Sequence, residues 1–197
     1  MSMINKESSP VEVLTFGFLT LAGVMGIALA WKARTRNEEF YVVGFYAGVS
    51  VGMLIVALEE ISWTQHFFGF DTPRALLTIN KQAETTLHNI GWLQSRSSVL
   101  TLACGLLGLV GARISARGLL RKISVPTILS TWFLVIVAVS VMNVIWMVKP
   151  FFDIDGNPYE EVVEMLIAMS ALLFIWLKAR MLSREWTGEL SDGMSAK

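Results

Sequence analysis

The chain has 197 residues, of which 54% are hydrophobic and only 16% charged, and its mean hydropathy is +0.57. A soluble domain of this size cannot keep that balance in water, so a lipid bilayer is the expected solvent. Sixteen basic and sixteen acidic residues cancel, which removes the positive excess that a nucleic-acid partner would require.

The first apolar stretch covers 11–31, close to the roughly 20 residues that a helix needs to cross a hydrocarbon core. Ala28-Leu29-Ala30 has the small-x-small form of a cleavage site. The flanks oppose a signal peptide, however. Lys6 is offset by Glu7, and the basic cluster Lys32, Arg34 and Arg36 follows the run instead of preceding it. An uncleaved anchor with its N-terminus outside is expected. The second stretch covers 40–58 and carries Gly44, Gly48 and Gly52 at steps of four, a spacing that lets two helix backbones approach closely. Further spans are expected at 98–116, 125–148 and 162–177. The third contains Gly105, Gly108 and Gly111, expected to pack in the same way, and the single cysteine, Cys104, so no intrachain disulfide closes a loop. Trp31, Trp63, Trp92 and Trp146 lie near span ends and read as interfacial anchors.

The expected fold is an all-α polytopic membrane helix bundle of about five transmembrane helices, one transmembrane domain over 1–197 with a mobile polar tail at 185–197. An outer interfacial or re-entrant helical segment is expected at 59–97. Orientation follows from the basic residues. Lys32, Arg34, Arg36, Arg113, Arg117, Arg121, Lys122, Lys178, Arg180 and Arg184 all fall on one side, which the positive-inside rule makes cytoplasmic.

The opposite face carries the candidate chemistry. Span two ends in Glu59-Glu60-Ile61-Ser62, and a helix continuing further would align Glu59, Ser62 and His66 on one face. Asp71, Thr72 and Pro73 give a helix start. The amphipathic segment that follows carries Asn80, Glu84 and His88 at steps of four, so that Glu84 and His88 can reach one ion. Asp153 and Asp155 read as a solvated turn, while Glu160 and Glu161 suit a helix N-terminus and Glu164 lies a turn inside span five. Ser140 and Asn143 lie in the outer third of span four. Intramembrane carboxylates are costly unless paired or functional.

The strings Glu-Glu-Ile-Ser-Trp-x-Gln at 59–65, Phe-Gly-Phe-x-Thr-Pro at 68–73 and Asn-x-Gln-x-Glu-x-x-Leu-His-Asn at 80–89 resemble a group of bacterial multi-pass membrane proteins with no assigned activity. That group usually has glycine where Thr64 stands and arginine where His66 stands, which leaves His88 as the better imidazole. The resemblance implies a bacterial inner (plasma) membrane. In layout alone the chain is similar to membrane-embedded hydrolases of the alkaline ceramidase type, but their His-x-x-x-His pair is absent, and two histidines cannot make a three-histidine zinc site.

These residues lead to three expectations. In the first, a divalent metal ion bound among Glu59, Glu60, Glu84, His88, Glu161 and Glu164 activates water for attack on a lipid or other membrane substrate, with Glu60, Glu84 and His88 as the catalytic set. In the second, the chain is a non-catalytic structural or assembly subunit that packs against other membrane proteins. In the third, the carboxylates form an ion or proton pathway. Membrane lipids are the expected partners in each.

Overall fold

The computed structural model describes residues 10–62, 72, 97–113, 118–148 and 158–188. Among these residues the protein is all helical: α1 Pro10–Thr35, α2 Phe40–Glu60, α3 Ser97–Arg113, α4 Ser130–Val148 and α5 Pro158–Trp186. Two 3-10 turns, Gly118–Lys122 and Thr127–Leu129, lead into α4. Four apolar helical stretches are long enough to cross a membrane, Pro10–Thr35, Phe40–Glu60, Thr127–Trp146 and Tyr159–Trp186, with the shorter apolar α3 beside them. At 1.5 Å per residue the 17 residues of α3 reach about 26 Å, near the lower limit for a span.

The helices alternate in direction. The basic end of the bundle gathers the C-termini of α1, α3 and α5, and the acidic end gathers their N-termini. Backbone dipoles suit this arrangement: Lys32, Arg34, Arg113 and Arg184 lie in last turns, and Glu12, Glu160 and Glu161 lie in first turns.

Helix α1 is the central element, packed on one side against α2 and on the other against α5, while α4 bridges α5 and α3. Its buried face runs Thr15, Leu19, Ala22, Gly23, Gly26, Leu29, Ala30 and Ala33, a stripe of mostly small residues at helical spacing that admits close neighbours on both sides. A Cβ on Gly26 would collide with Ser50 Oγ of α2 and lie 3.3 Å from Ile175 Cδ1 of α5. The close-packing seam of this pair therefore lies on α1. The glycines of α2 do not form it: at Gly44, Gly48 and Gly52 an added Cβ would meet nothing within 4 Å. Their spacing is right, but they face away from the bundle. The glycines of α3 do pack as expected. Gly105 meets Ile136 and Val137, and Gly108 lies under the ring of Phe133.

Two apolar clusters fill the interior. The larger, toward the basic end, joins Leu29, Val42, Tyr46, Leu129, Phe174, Ile175 and Leu182. Within it Phe45 makes edge contacts with Tyr46 and Phe174, at 5.3 and 6.2 Å between ring centroids. The smaller cluster, toward the acidic end, brings Leu19 of α1, Ala57 of α2 and Ala168 of α5 together. Trp31 is exposed, as an interfacial anchor requires. Trp146 is buried instead, its ring packed edge-on to Tyr159 at 5.7 Å, so it fastens α4 to the start of α5.

Candidate functional site

The acidic end is built directly on the smaller apolar cluster. Glu60 lies three residues beyond Ala57 on α2, Glu164 four residues before Ala168 on α5, and Glu12 seven residues before Leu19 on α1. Each offset is close to a whole number of helical turns, so each carboxylate stands on the face of its helix that the cluster has already turned inward. The charge of Glu60 acts on Glu164, and those of Glu12 and Glu161 act on both, with Glu59 adding to the field at Glu60 and Glu160 to that at Glu164.

Helix α2 stops where the site begins. Ile61 caps its C-terminus and Ser62 follows with φ 49°, a left-handed conformation that ends a helix. Glu59 and Ser62 are therefore not on one continuous α-helix, and His66 lies outside the described residues. The stop leaves Glu59 and Glu60 in the last turn, where the negative end of the helix dipole opposes a carboxylate. Glu59 is buried at 8% exposure and engaged by neighbouring groups. Glu60 and Glu164 are half-buried, and among the described residues neither has a hydrogen bond or an ion pair.

The other acidic residues are held differently. Glu160 accepts a 2.6 Å hydrogen bond from the Ser97 hydroxyl, which joins the first turns of α3 and α5. Glu12 and Glu161 have partners of their own. On α4, Ser140 and Asn143 are fully buried.

Of the residues expected from the sequence, Glu60, Glu161 and Glu164 thus meet in one field, with Glu59 adjacent. Glu84, His88 and His66 lie outside the described residues. Among the described residues no group of three or more histidine, cysteine, aspartate or glutamate side chains is arranged to hold a metal ion. These carboxylates alone do not fit a divalent metal centre.

Two features were not anticipated from the sequence. The first is Glu12, whose signal was its position seven residues before an inward-facing leucine. The second is a polar network at the basic end. Glu38, in the turn between α1 and α2, receives Lys122 Nζ at 2.6 Å on one carboxylate oxygen and Trp186 Nε1 at 2.7 Å on the other. Glu185 pairs with Arg121 at 3.0 Å and reaches Lys122 at 3.8 Å. Tyr46 donates its hydroxyl to the Lys122 carbonyl, and Lys178 donates to the Arg121 carbonyl at 2.8 Å. Burial pushes the Glu38 carboxyl up, but the hydrogen bonds from Lys122 and Trp186 and the Lys122 charge outweigh it, so Glu38 ionises below the usual glutamate range. The hydrogen bond to Glu38 in turn holds Lys122 above the usual lysine range, against the opposing pull of burial.

No family model, curated protein or solved structure matches this chain.

Proposed function

We propose that this multi-pass membrane protein takes up a proton at its acidic end, shared between Glu60 and Glu164, and that this exchange serves ion or proton transfer. One observation carries the reading: two half-buried carboxylates from different helices lie in one field, and neither has an ion pair or hydrogen bond among the described residues. Two carboxylates in this position are most simply accommodated by a proton held between them. On the positive-inside reading the acidic end faces outward and the C-terminus faces the cytoplasm of a bacterial inner membrane. A cysteine at Thr187, in a Cys104→Ser background, should then resist a membrane-impermeant thiol reagent in intact cells.

The metal-dependent enzyme reading needs Glu84 and His88 to fold back onto Glu60 and Glu164. The subunit reading draws support from α2, whose Gly44, Gly48 and Gly52 leave room for a helix of another protein. One set of measurements separates the three. Proteoliposomes loaded with a pH-sensitive dye should acidify under an imposed gradient, and Glu60→Gln and Glu164→Gln should each abolish the signal. Fluxes no greater than those of protein-free vesicles would reject proton transfer. A stoichiometric transition metal in the purified protein would then support the enzyme, and a fixed co-purifying partner would support the subunit.

A further inference from the structure

At the opposite end of the bundle, a cleft of about 130 Å³ opens between the last turns of α5 and the Gly118–Lys122 turn. At roughly 30 Å³ per water molecule it has room for about four waters, enough for a phosphate group. Four of its lining side chains are cationic, Arg121, Lys122, Lys178 and Arg184, and one, Glu185, is anionic. Two of the cations are already committed, Lys122 to Glu38 and Arg121 to Glu185. Lys178 and Arg184 are not: among the described residues no carboxylate pairs with either. Lys178 is 2% exposed, and its ammonium donates to the Arg121 carbonyl. A buried cation satisfied by one neutral acceptor is costly, and an anion entering the cleft would relieve that cost.

The depth of the cleft indicates where such an anion comes from. Lys178 follows directly on the apolar run of α5, and one turn of helix around it carries Trp176 with the Arg180 guanidinium stacked 4.7 Å above its ring. An aromatic ring with a basic partner at a span end marks headgroup level. The cleft wall continues with Met181, 44% exposed, and Leu182, apolar surface suited to a glycerol backbone and the start of an acyl chain. A free phosphate would have no use for that wall.

We infer that this cleft binds the phosphate of an anionic membrane lipid, with Lys178 and Arg184 as its ligands. The site lies at the end remote from Glu60 and Glu164, so it stands or falls independently of proton transfer.

The test uses the full chain in neutral detergent, titrated with dioleoyl phosphatidylglycerol, dioleoyl phosphatidylcholine or inorganic phosphate, with bound lipid counted by native mass spectrometry. Phosphatidylglycerol should be retained and phosphatidylcholine should not. Arg184→Gln, an exposed position whose loss leaves the fold intact, should weaken retention about tenfold, the usual worth of one charge-assisted hydrogen bond. Arg36→Gln, at the same end but outside the cleft, should change it less than twofold. Lys178→Gln should weaken retention as well, and where it unfolds the chain the Arg184 variant decides. Equal retention of both lipids, or equal losses from Arg184→Gln and Arg36→Gln, would overturn the site in favour of diffuse attraction. Displacement of phosphatidylglycerol by millimolar inorganic phosphate would overturn the lipid assignment.

Discussion

The indole Nε1–H of Trp186 donates to the carboxylate of Glu38 across 148 residues of sequence, joining the last turn of α5 to the connection between α1 and α2. Lys122 occupies the other carboxylate oxygen, so three segments distant in sequence are fastened at one buried group. Lys122→Met should therefore leave a buried carboxylate without its counter-charge and cost about 3 kcal/mol. The Glu38→Gln, Lys122→Met double variant should recover a large part of that loss. Thermal unfolding in detergent measures both, and strictly additive losses would remove the coupling inferred here.

The same pair sets a pH window. Glu38 ionises lower in the folded protein than in the unfolded chain, so its contribution is complete above the unfolded value and fades as pH falls through the folded one. Lys122 is shifted the other way, so its contribution is complete below the unfolded lysine value and fades as pH rises through the folded one. The difference in melting temperature between wild type and Glu38→Gln should be flat from about pH 5 to about pH 10 and narrow on both sides, given ordinary values near 4.3 and 10.4. A difference that grows below pH 5 would contradict the assignment.

Glu38 reaches this position through a helix stop. Asn37 has φ 55°, and the bonds Asn37 N to Arg34 O and Glu38 N to Ala33 O close a Schellman turn. Asparagine tolerates that left-handed conformation and a β-branched residue does not. Asn37→Val should lower stability by about 1–2 kcal/mol, and Asn37→Gly should be neutral or slightly stabilising. Equal melting temperatures for all three chains would show that the turn is not under this constraint.

The two glycine faces make opposite predictions. Gly26→Val would drive side-chain carbons into Ser50 and Ile175 and should impair folding, with a cost of about 1–3 kcal/mol where the chain still folds. At Gly48 an added Cβ meets nothing within 4 Å among the described residues, so Gly48→Leu should leave the monomer's unfolding unchanged. If Gly48→Leu nevertheless removes a co-purifying protein, the exposed face of α2 is an assembly surface.

What the sequence disclosed, and what it withheld, divides along a physical line. Apolar length and the side on which Lys32, Arg121 and Lys178 fall depend only on composition along the chain, and the helices follow from them. Which face of a helix turns inward depends on its neighbours. Gly44, Gly48 and Gly52 have the spacing of a seam but lie on a face that no helix among the described residues covers, whereas Gly23 and Gly26 lie among Ala22, Ala30 and Ala33, where both neighbours approach. Glu60 and Glu164 stood out because a carboxylate in an apolar helix is costly anywhere. Glu38 did not, because a glutamate in a connecting turn looks solvated until Trp186 is brought beside it.

The pair at the acidic end should behave as a site held against the preference of the fold. Glu60 sits where the dipole of α2 opposes it, and its charge acts on Glu164, a like charge. Glutamine keeps the shape of each side chain and removes the charge. Glu60→Gln and Glu164→Gln should therefore each raise the unfolding temperature, by the equivalent of about 1 kcal/mol, while abolishing proton flux, the trade expected where a functional group is stabilised poorly. The double variant should gain little beyond either single one, because replacing either carboxylate already removes the need to hold a proton between two like groups. Glu160→Gln is the contrast. Its carboxylate accepts the Ser97 hydroxyl and sits in a first turn where the dipole favours it, so losing its charge should lower stability. If Glu60→Gln and Glu164→Gln destabilise the protein as Glu160→Gln does, the two carboxylates are satisfied structural groups, and the shared proton must be abandoned.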